Sequence, residues 1–485
     1  MRKLTLKKIV ALAALSFLLS HPVSYAAERE IPSEKLVSVY LLIDTPERLA
    51  KYTQDLRKIA KPNFNRVIFS FVKPSLSQYH AGSLANTGIL GYFEQGDGKG
   101  TQAFAQLKEA ILLSKQKNIQ TFLSVGGWNY SCNYAVYGNL CGAPPSKEVT
   151  YDYFPDPTDP TQKQLADESY KNLVQLTNDL GLDGIDFDYE EFWHADHYAM
   201  SWTPGSLGEW ATAIATTIKD HGGPTYDNLM KWGTSGEAGA GGAAVMPKTI
   251  DKVHAILHAI IDDPAAKNLL FATAAPPVGA RPITGFVYGD TAPNIYEKGG
   301  LWWKGNLKGL WYHLNEKDAA LVSHFDSLGL MTYDLCGDNP AICAPYAGAP
   351  LDLPGQVNAY MQDYHNWLKS SKSTDAQLTI DSIGKVLFLP AKYQIKAKVQ
   401  FGFEVNKPAY PRNPQGILQL TNSLVDKITQ QQKESDGVII WEMYSKPNTE
   451  VPDATTVHYT IKQSCKTFLA EDTRYDCEAE FPSAL

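Results

Sequence analysis

Leu182-Asp183-Gly184-Ile185-Asp186-Phe187-Asp188-Tyr189-Glu190 alternates between apolar and acidic side chains from Ile185 onward. A period of two marks a β-strand, whose successive side chains point to opposite faces. Ile185, Phe187 and Tyr189 then share one face, suited to packing under helices. Asp186, Asp188 and Glu190 share the other, spaced about 7 Å apart along the strand. A merely solvated acidic run would not interleave with such apolar residues. The carboxylates are therefore expected to line the interior of a sheet closed on itself.

The pattern on either side fits that reading. Further short β-rich runs occur at Leu36–Ile43, Arg66–Val72, Thr121–Val125, Leu269–Ala275, Leu328–Asp334, Val399–Val405 and Gly437–Tyr444. Longer amphipathic stretches lie between them: Phe104–Gln116, Gln162–Leu180, Gln356–Ser370 and Gly416–Gln432. Strand and helix alternating eight times predict an α/β fold, a closed (β/α)8 TIM barrel. An open doubly wound sheet would want a glycine-rich phosphate turn after its first strand, and Asp44-Thr-Pro-Glu-Arg48 is not one. A minimal barrel takes about 250 residues. The surplus falls in 129–161, 191–268, 276–326 and 335–398, segments that follow strands and so form long βα-loop insertions on the C-terminal face. Gly233–Gly242 is of low complexity and reads as a loop. Thr456–Ala470 suits the last barrel helix, and no Pro/Thr/Ser linker marks a second module, so 27–485 reads as one domain.

Residues 1–26 read as a signal peptide, with a basic start (Arg2, Lys3, Lys7, Lys8), an apolar run Ile9–Leu19 too short to span a bilayer, and a small-x-small site at Ser24-Tyr25-Ala26. Their removal takes the formal net charge from −8 to −12. An acidic chain without a basic patch argues against nucleic acid as a partner, and no later apolar run suits a membrane span. The six cysteines fall into near-neighbour pairs, Cys132/Cys141, Cys336/Cys343 and Cys465/Cys477, which makes local disulfides the expected connectivity. Zinc would want CxxC-like spacing or histidines at ligand intervals, and neither accompanies the cysteines. The chain is expected to be secreted or periplasmic.

Ionising three carboxylates in a restricted volume is costly, so at least one should hold its proton. A protonated acid beside ionised ones is what glycosidic cleavage needs. Glu190, nearest the mouth, is the natural acid. Stacked carboxylates also bind hard cations, but this spacing lacks the glycine and distal glutamate of an EF-hand loop. His194 and His197, beside Glu191 and Asp196, read as exposed helix residues. No metal and no cofactor are expected.

Asp183–Glu190 resembles the DGxDxDxE signature of glycoside hydrolase family 18, the chitinases and their relatives. Ser124-Val-Gly-Gly127 is similar to that family's SxGG motif, Met331-Thr-Tyr-Asp334 to its MxYD motif, and Trp441 to its strand-eight tryptophan. The resemblance implies a retaining mechanism in which the substrate's 2-acetamido group supplies the nucleophile. It implies that Glu190 is the general acid and base, that Asp188 orients the acetamido N–H, and that Asp186 shares a proton with Asp188. Tyr333 would donate to the acetamido oxygen and Trp441 would floor the −1 subsite, with Ser124, Asp334 and Met331 as supporting or substrate contacts. Asp183, on the other face, reads as structural. Trp128 and Trp193 follow strand ends where further sugars would bind. Trp302, Trp303 and Trp311 follow strand five and are weighed between subsite and core.

The departures are specific. Strand one lacks the family's Tyr-x-x-Trp turn, and Val399–Glu404 stands where Gly-x-Pro-x-Tyr-Gly-Arg is usual. The small domain that many members insert between strands seven and eight has no room, which implies an open groove. The expected partners are chitin or N-acetylglucosamine oligosaccharides, and the expected state is a monomer. An endo-β-N-acetylglucosaminidase acting on N-glycans, or a chitin-binding lectin, would share the same barrel.

Overall fold

Eight parallel strands close on one another in a computed structural model of the chain. They are β1 (Leu36–Leu42), β2 (Arg66–Val72), β3 (Gln120–Gly126), β4 (Gly184–Asp188), β5 (Leu270–Ala275), β6 (Ser327–Leu330), β7 (Lys398–Glu404) and β8 (Gly437–Trp441). Each pairs in parallel with the next, and β8 pairs with β1, so the barrel has no edge. The structure describes residues 34–91, 98–127, 130, 154–190, 245–275, 310–333, 353–370, 378–380, 386–388, 396–405, 420–446 and 453–483. The proposed signal peptide, Trp128, Trp193, His194, His197, Trp302, Trp303, Asp334 and Cys132, Cys141, Cys336 and Cys343 lie outside them.

Helices follow the strands: α1 (Pro46–Lys58), α2 (Lys99–Gln116), α3 (Lys163–Leu180), α4 (Val245–Ile261), α5 (Leu310–Lys317), α6 (Leu353–Ser370), α7 (Asn422–Gln431) and α8 (Val457–Phe468). Their ends are written in the sequence. Pro46 opens α1, where its missing N–H costs nothing, and Arg57 and Lys58 close it against the negative end of the helix dipole. Gly181 ends α3 in the left-handed region at φ 75°. Thr421 and Thr456 cap α7 and α8 by accepting from the Leu424 and Tyr459 amides.

Period-two alternation sorts each strand into two layers. Val37, Val39, Ile185, Phe187, Tyr189, Val399, Phe401 and Val438 join the large core between strands and helices. Tyr40, Ile68, Phe122, Ala272 and Ile439 fill the barrel itself, with Tyr333 and Trp441 packed against them. The N-terminal end of the barrel is plugged by Arg66, which is 1% exposed. Its guanidinium bonds Gln120 Oε1 through Nε and Nη2 at 3.1 and 2.8 Å, donates to Ser327 Oγ, pairs with Asp326, and lies 4.3 Å over the Phe122 ring. Asp183 behaves as the structural residue expected: its carboxylate accepts from the Thr121 amide and hydroxyl at 2.8 and 2.9 Å and pairs with Lys115.

Three strands stop two or more residues short of the sequence expectation. β4, β6 and β8 end at Asp188, Leu330 and Trp441, because the chain leaves the hydrogen-bonded ladder while its alternation runs on. α4 and α5 fall in segments expected as loop insertions. Val253, Ile256, Leu257 and Ile260 on α4 carry the helical period and are buried. Segment 335–398 contributes α6 and a small antiparallel pair, Leu378–Ile380 with Val386–Phe388. Cys465 and Cys477 form the expected local disulfide, with Cα atoms 5.3 Å apart. No described helix is long and apolar enough to cross a membrane.

Candidate active site

The carboxylates of β4 face the barrel interior, as the alternation requires. Asp186 is 1% exposed, Asp188 3% and Glu190, two residues past the strand end, 6%. Ser124 on β3 is paired in register with Asp186 and donates its hydroxyl to Asp186 Oδ2 at 2.7 Å. Tyr40 on β1 donates to the same oxygen from across the barrel at 3.0 Å. Burial pushes the Asp186 carboxyl up to about 6, while the Ser124 and Tyr40 hydrogen bonds and the charge of Arg66 hold it from rising further. Asp186 thus exchanges its proton close to neutrality, and the leading cause is loss of water rather than repulsion. Burial also holds the Tyr40 phenol well above its usual range, reinforced by the charges of Asp186 and Asp188 and by Tyr333. Tyr40 therefore remains a donor, and its electrostatic partners mark one shared interior.

The glycines of Ser124-Val-Gly-Gly127 have separate reasons. Gly126 has φ 105°, and a Cβ there would lie 2.2 Å from the Asp188 carbonyl oxygen. Gly127 has φ 75°, and a Cβ there would lie 2.4 Å from the Phe71 ring. The Gly127 amide donates to that Asp188 carbonyl at 2.8 Å. The turn after β3 is thereby seated directly on the carboxylate strand.

Aromatic rings floor the mouth. Trp441 stacks on Phe71 at 5.4 Å and meets Tyr40 edge-on at 5.6 Å. Tyr333 lies over Gly402 of β7, where a Cβ would be 2.9 Å from its ring. Met331 is buried and its amide donates to the Ala275 carbonyl. Beside them, Glu404 is buried at the end of β7 in register with Trp441. Burial raises the Glu442 carboxyl, opposed by Arg48, whose Nη1 is 3.0 Å from Glu442 Oε1.

Ser124, Asp186, Asp188, Glu190, Met331, Tyr333 and Trp441 thus all lie at the C-terminal end of the barrel. Trp311 does not join them: it is buried on α5 against Phe325 at 4.7 Å, a core residue rather than a sugar platform. Tyr40 and Phe71 were missed by the sequence reading. The inward parity of Ser38, Tyr40 and Leu42 is the signal that identifies Tyr40. Phe71 has no such signal, because its ring reaches Trp441 only through the local geometry at the end of β2.

No protein-family model matches the chain. Among solved structures, the chain is similar to a GH18 chitinase from Pseudoalteromonas aurantia at 13% identity and a TM-score of 0.40, over 89% of this chain and 99% of that one. It is similar to a chitinase from Bacteroides thetaiotaomicron at 11% identity and 0.43, over 90% and 98%. A mutant GH18 chitinase from Cycas revoluta in complex with (GlcNAc)4 matches at 10% identity and 0.40, over 89% and 99%. With similarities this low, the barrel rests on its own strand order and the site's chemistry on its own residues.

Proposed function

We propose that the protein is an exported chitinase, hydrolysing β-1,4 bonds that follow N-acetylglucosamine with retention of configuration. The supporting observation is the buried Asp186 carboxyl, whose Oδ2 accepts from both Tyr40 and Ser124, on one face of β4 with Asp188 and Glu190. An inert barrel has no use for that arrangement. A substrate-assisted glycosidase needs it.

In this reading the sugar of the −1 subsite lies on Trp441. Glu190 gives its proton to the glycosidic oxygen as the C1–O bond breaks. The acetamido carbonyl oxygen of the same sugar bonds C1 and forms an oxazolinium ion. Asp188 accepts the acetamido N–H and balances the charge growing on that ring. Asp186 takes up or returns a proton shared with Asp188, which lets the pair change its charge without water. Tyr333 donates to the acetamido oxygen and aims it. Water then gives a proton to the Glu190 carboxylate and adds to C1, which reopens the ring and restores the acid. Residues 1–26 direct export, and the Cys465–Cys477 disulfide suits an oxidising compartment.

The test sets the mature chain and Glu190→Gln on N-acetylglucosamine oligomers and on an N-glycosylated protein, with products read by mass spectrometry. Oligomer cleavage that falls about 10²–10⁴-fold in the variant is expected. Glycan release without oligomer cleavage would move the assignment to an endo-β-N-acetylglucosaminidase. Oligomer binding without cleavage would make it a lectin.

A further inference from the structure

A second group of chemistry-bearing side chains sits on the outside of the barrel, on α4 and the segment after α5. His254 and His258 are one helical turn apart, so their rings project from the same face of α4. Asp318 follows α5 and turns its carboxylate toward both. Its Oδ1 accepts from the Leu321 amide at 3.0 Å as the cap of the short helix Ala319–Val322. That bond fixes the carboxylate and leaves Oδ2 aimed at the histidines, 3.3 Å from His254 Nε2 and 2.9 Å from His258 Nε2. The two Nε2 atoms are 3.2 Å apart.

These separations describe a coordination triangle. Metal bonds of 2.0–2.1 Å in tetrahedral geometry set neighbouring ligand atoms about 3.3 Å apart. Two imidazole nitrogens 3.2 Å apart also compete for the space between them, since both cannot carry a proton there without crowding. A cation between all three resolves that competition. We propose that His254, His258 and Asp318 bind a divalent transition metal of the zinc class, which clamps α4 to the start of Ala319–Val322.

The surroundings support the assignment. Asp262 Oδ2 lies 2.8 Å from His258 Nδ1, the carboxylate–histidine relay that fixes the tautomer of a metal-bound imidazole. A nearby cation, Lys317, is paired with Asp251 at 2.7 Å, which offsets its charge beside the site. His254 borders a cleft of about 520 Å³ also lined by Asp156, Thr158, Asp251 and Lys317, which gives an ion access and room for a water as fourth ligand. Imidazole with carboxylate suits zinc, cobalt or nickel better than magnesium or calcium. The site is remote in sequence from Asp186, Asp188 and Glu190 and has no part in the proposed hydrolysis.

The test uses the mature chain stripped with a chelator and titrated with Zn²⁺ by calorimetry, with melting followed in parallel. Wild type is expected to bind one equivalent and to melt higher with the metal. His254→Gln and Asp318→Asn should lose that equivalent and the metal-dependent rise. Asp262→Asn should weaken binding about tenfold. Cobalt in place of zinc should give the intense visible bands of a tetrahedral site in wild type only. Failure of wild type to bind overturns the proposal. So does stoichiometric binding that survives both ligand substitutions, because the metal is then held elsewhere. Melting of each variant in chelator separates a lost ligand from a damaged fold.

Discussion

Tyr40 and Asp186 are joined across the barrel, with the phenol donating to the carboxylate Oδ2 at 3.0 Å from a strand 146 residues away. The bond is worth most when Asp186 is ionised, because charge-assisted hydrogen bonds are the stronger ones. Tyr40→Phe should therefore cost about 1–2 kcal/mol of stability near pH 8 and less near pH 4.5. Urea unfolding at the two pH values measures the difference. An equal cost at both would mean that the phenol bonds the neutral acid.

Asp186 itself gives a signed pH dependence. Its pKa rises from an ordinary 3.8 to about 6 on folding. Between those values the folded chain keeps a proton that the unfolded chain has released. Its contribution to stability is then fully present below pH 3.8 and lost as pH rises through 6, by up to about 3 kcal/mol. Asp186→Asn cannot lose it. The variant should gain on wild type across that window, read as the difference of two denaturation series. A flat difference would show that Asp186 is ionised throughout.

Arg66 plugs the opposite end of the barrel, where side chains set stability rather than chemistry. Arg66→Met leaves Asp326 buried and unpaired, and should cost about 3–5 kcal/mol. Adding Asp326→Leu removes the stranded charge and should recover most of it. Activity per folded molecule should survive in both variants, with its pH profile moving up as Asp186 loses the Arg66 charge, which a titration of active sites at several pH values would check.

Trp441 is held between Phe71 and Tyr40, so Trp441→Ala should lower stability by about 2–3 kcal/mol. In the proposed role it should also raise KM for chitin oligomers by about tenfold, since a stacked ring is worth about 1 kcal/mol or more. Trp441→Phe should recover most of the binding. A KM that does not move in Trp441→Ala would remove the tryptophan from the sugar site.

Cys465 and Cys477 close a short loop, with a sequence separation of 12. Constraint of the unfolded chain by a loop of that size is worth about 3 kcal/mol. Replacing both by alanine should lower the unfolding free energy by no more than that, with α8 still formed by circular dichroism. Unfolding of the whole barrel would mean that the bond carries the fold rather than pinning its tail.

What could be read from the residues follows from which interactions are local. The alternation in β4 assigned Asp186, Asp188 and Glu190 to the interior because parity needs no knowledge of neighbours. Eight strand–helix repeats were enough for the barrel, because closure leaves few other ways to bury the same pattern. α4 and α5 were lost among long insertions, although Val253, Ile256, Leu257 and Ile260 hold a helical period. Tyr40 as the partner of Asp186, and Phe71 as the partner of Trp441, depend on the diameter of the closed barrel and the path of β2. Those are properties of the assembled sheet, and no window of sequence contains them. Trp311, weighed between core and subsite, could not be assigned from sequence for the converse reason: an aromatic residue after a strand gives no hint of whether a helix will turn it inward.

Gly402 lies in the strand that departs most from the family pattern, yet it has the Tyr333 ring against one side and the Leu330 carbonyl against another. A methyl group at 402 would have to push the tyrosine out of the barrel or the strand out of register. The identity of position 402 is therefore dictated from β6 and the residues that follow it. In any diverging lineage of this barrel, a side chain gained at 402 should arrive with a smaller residue at 333 and a displaced β6. Loss of the tyrosine alone should leave 402 a glycine, so the history of the strand pairing would be recorded in a residue that bears no functional group at all.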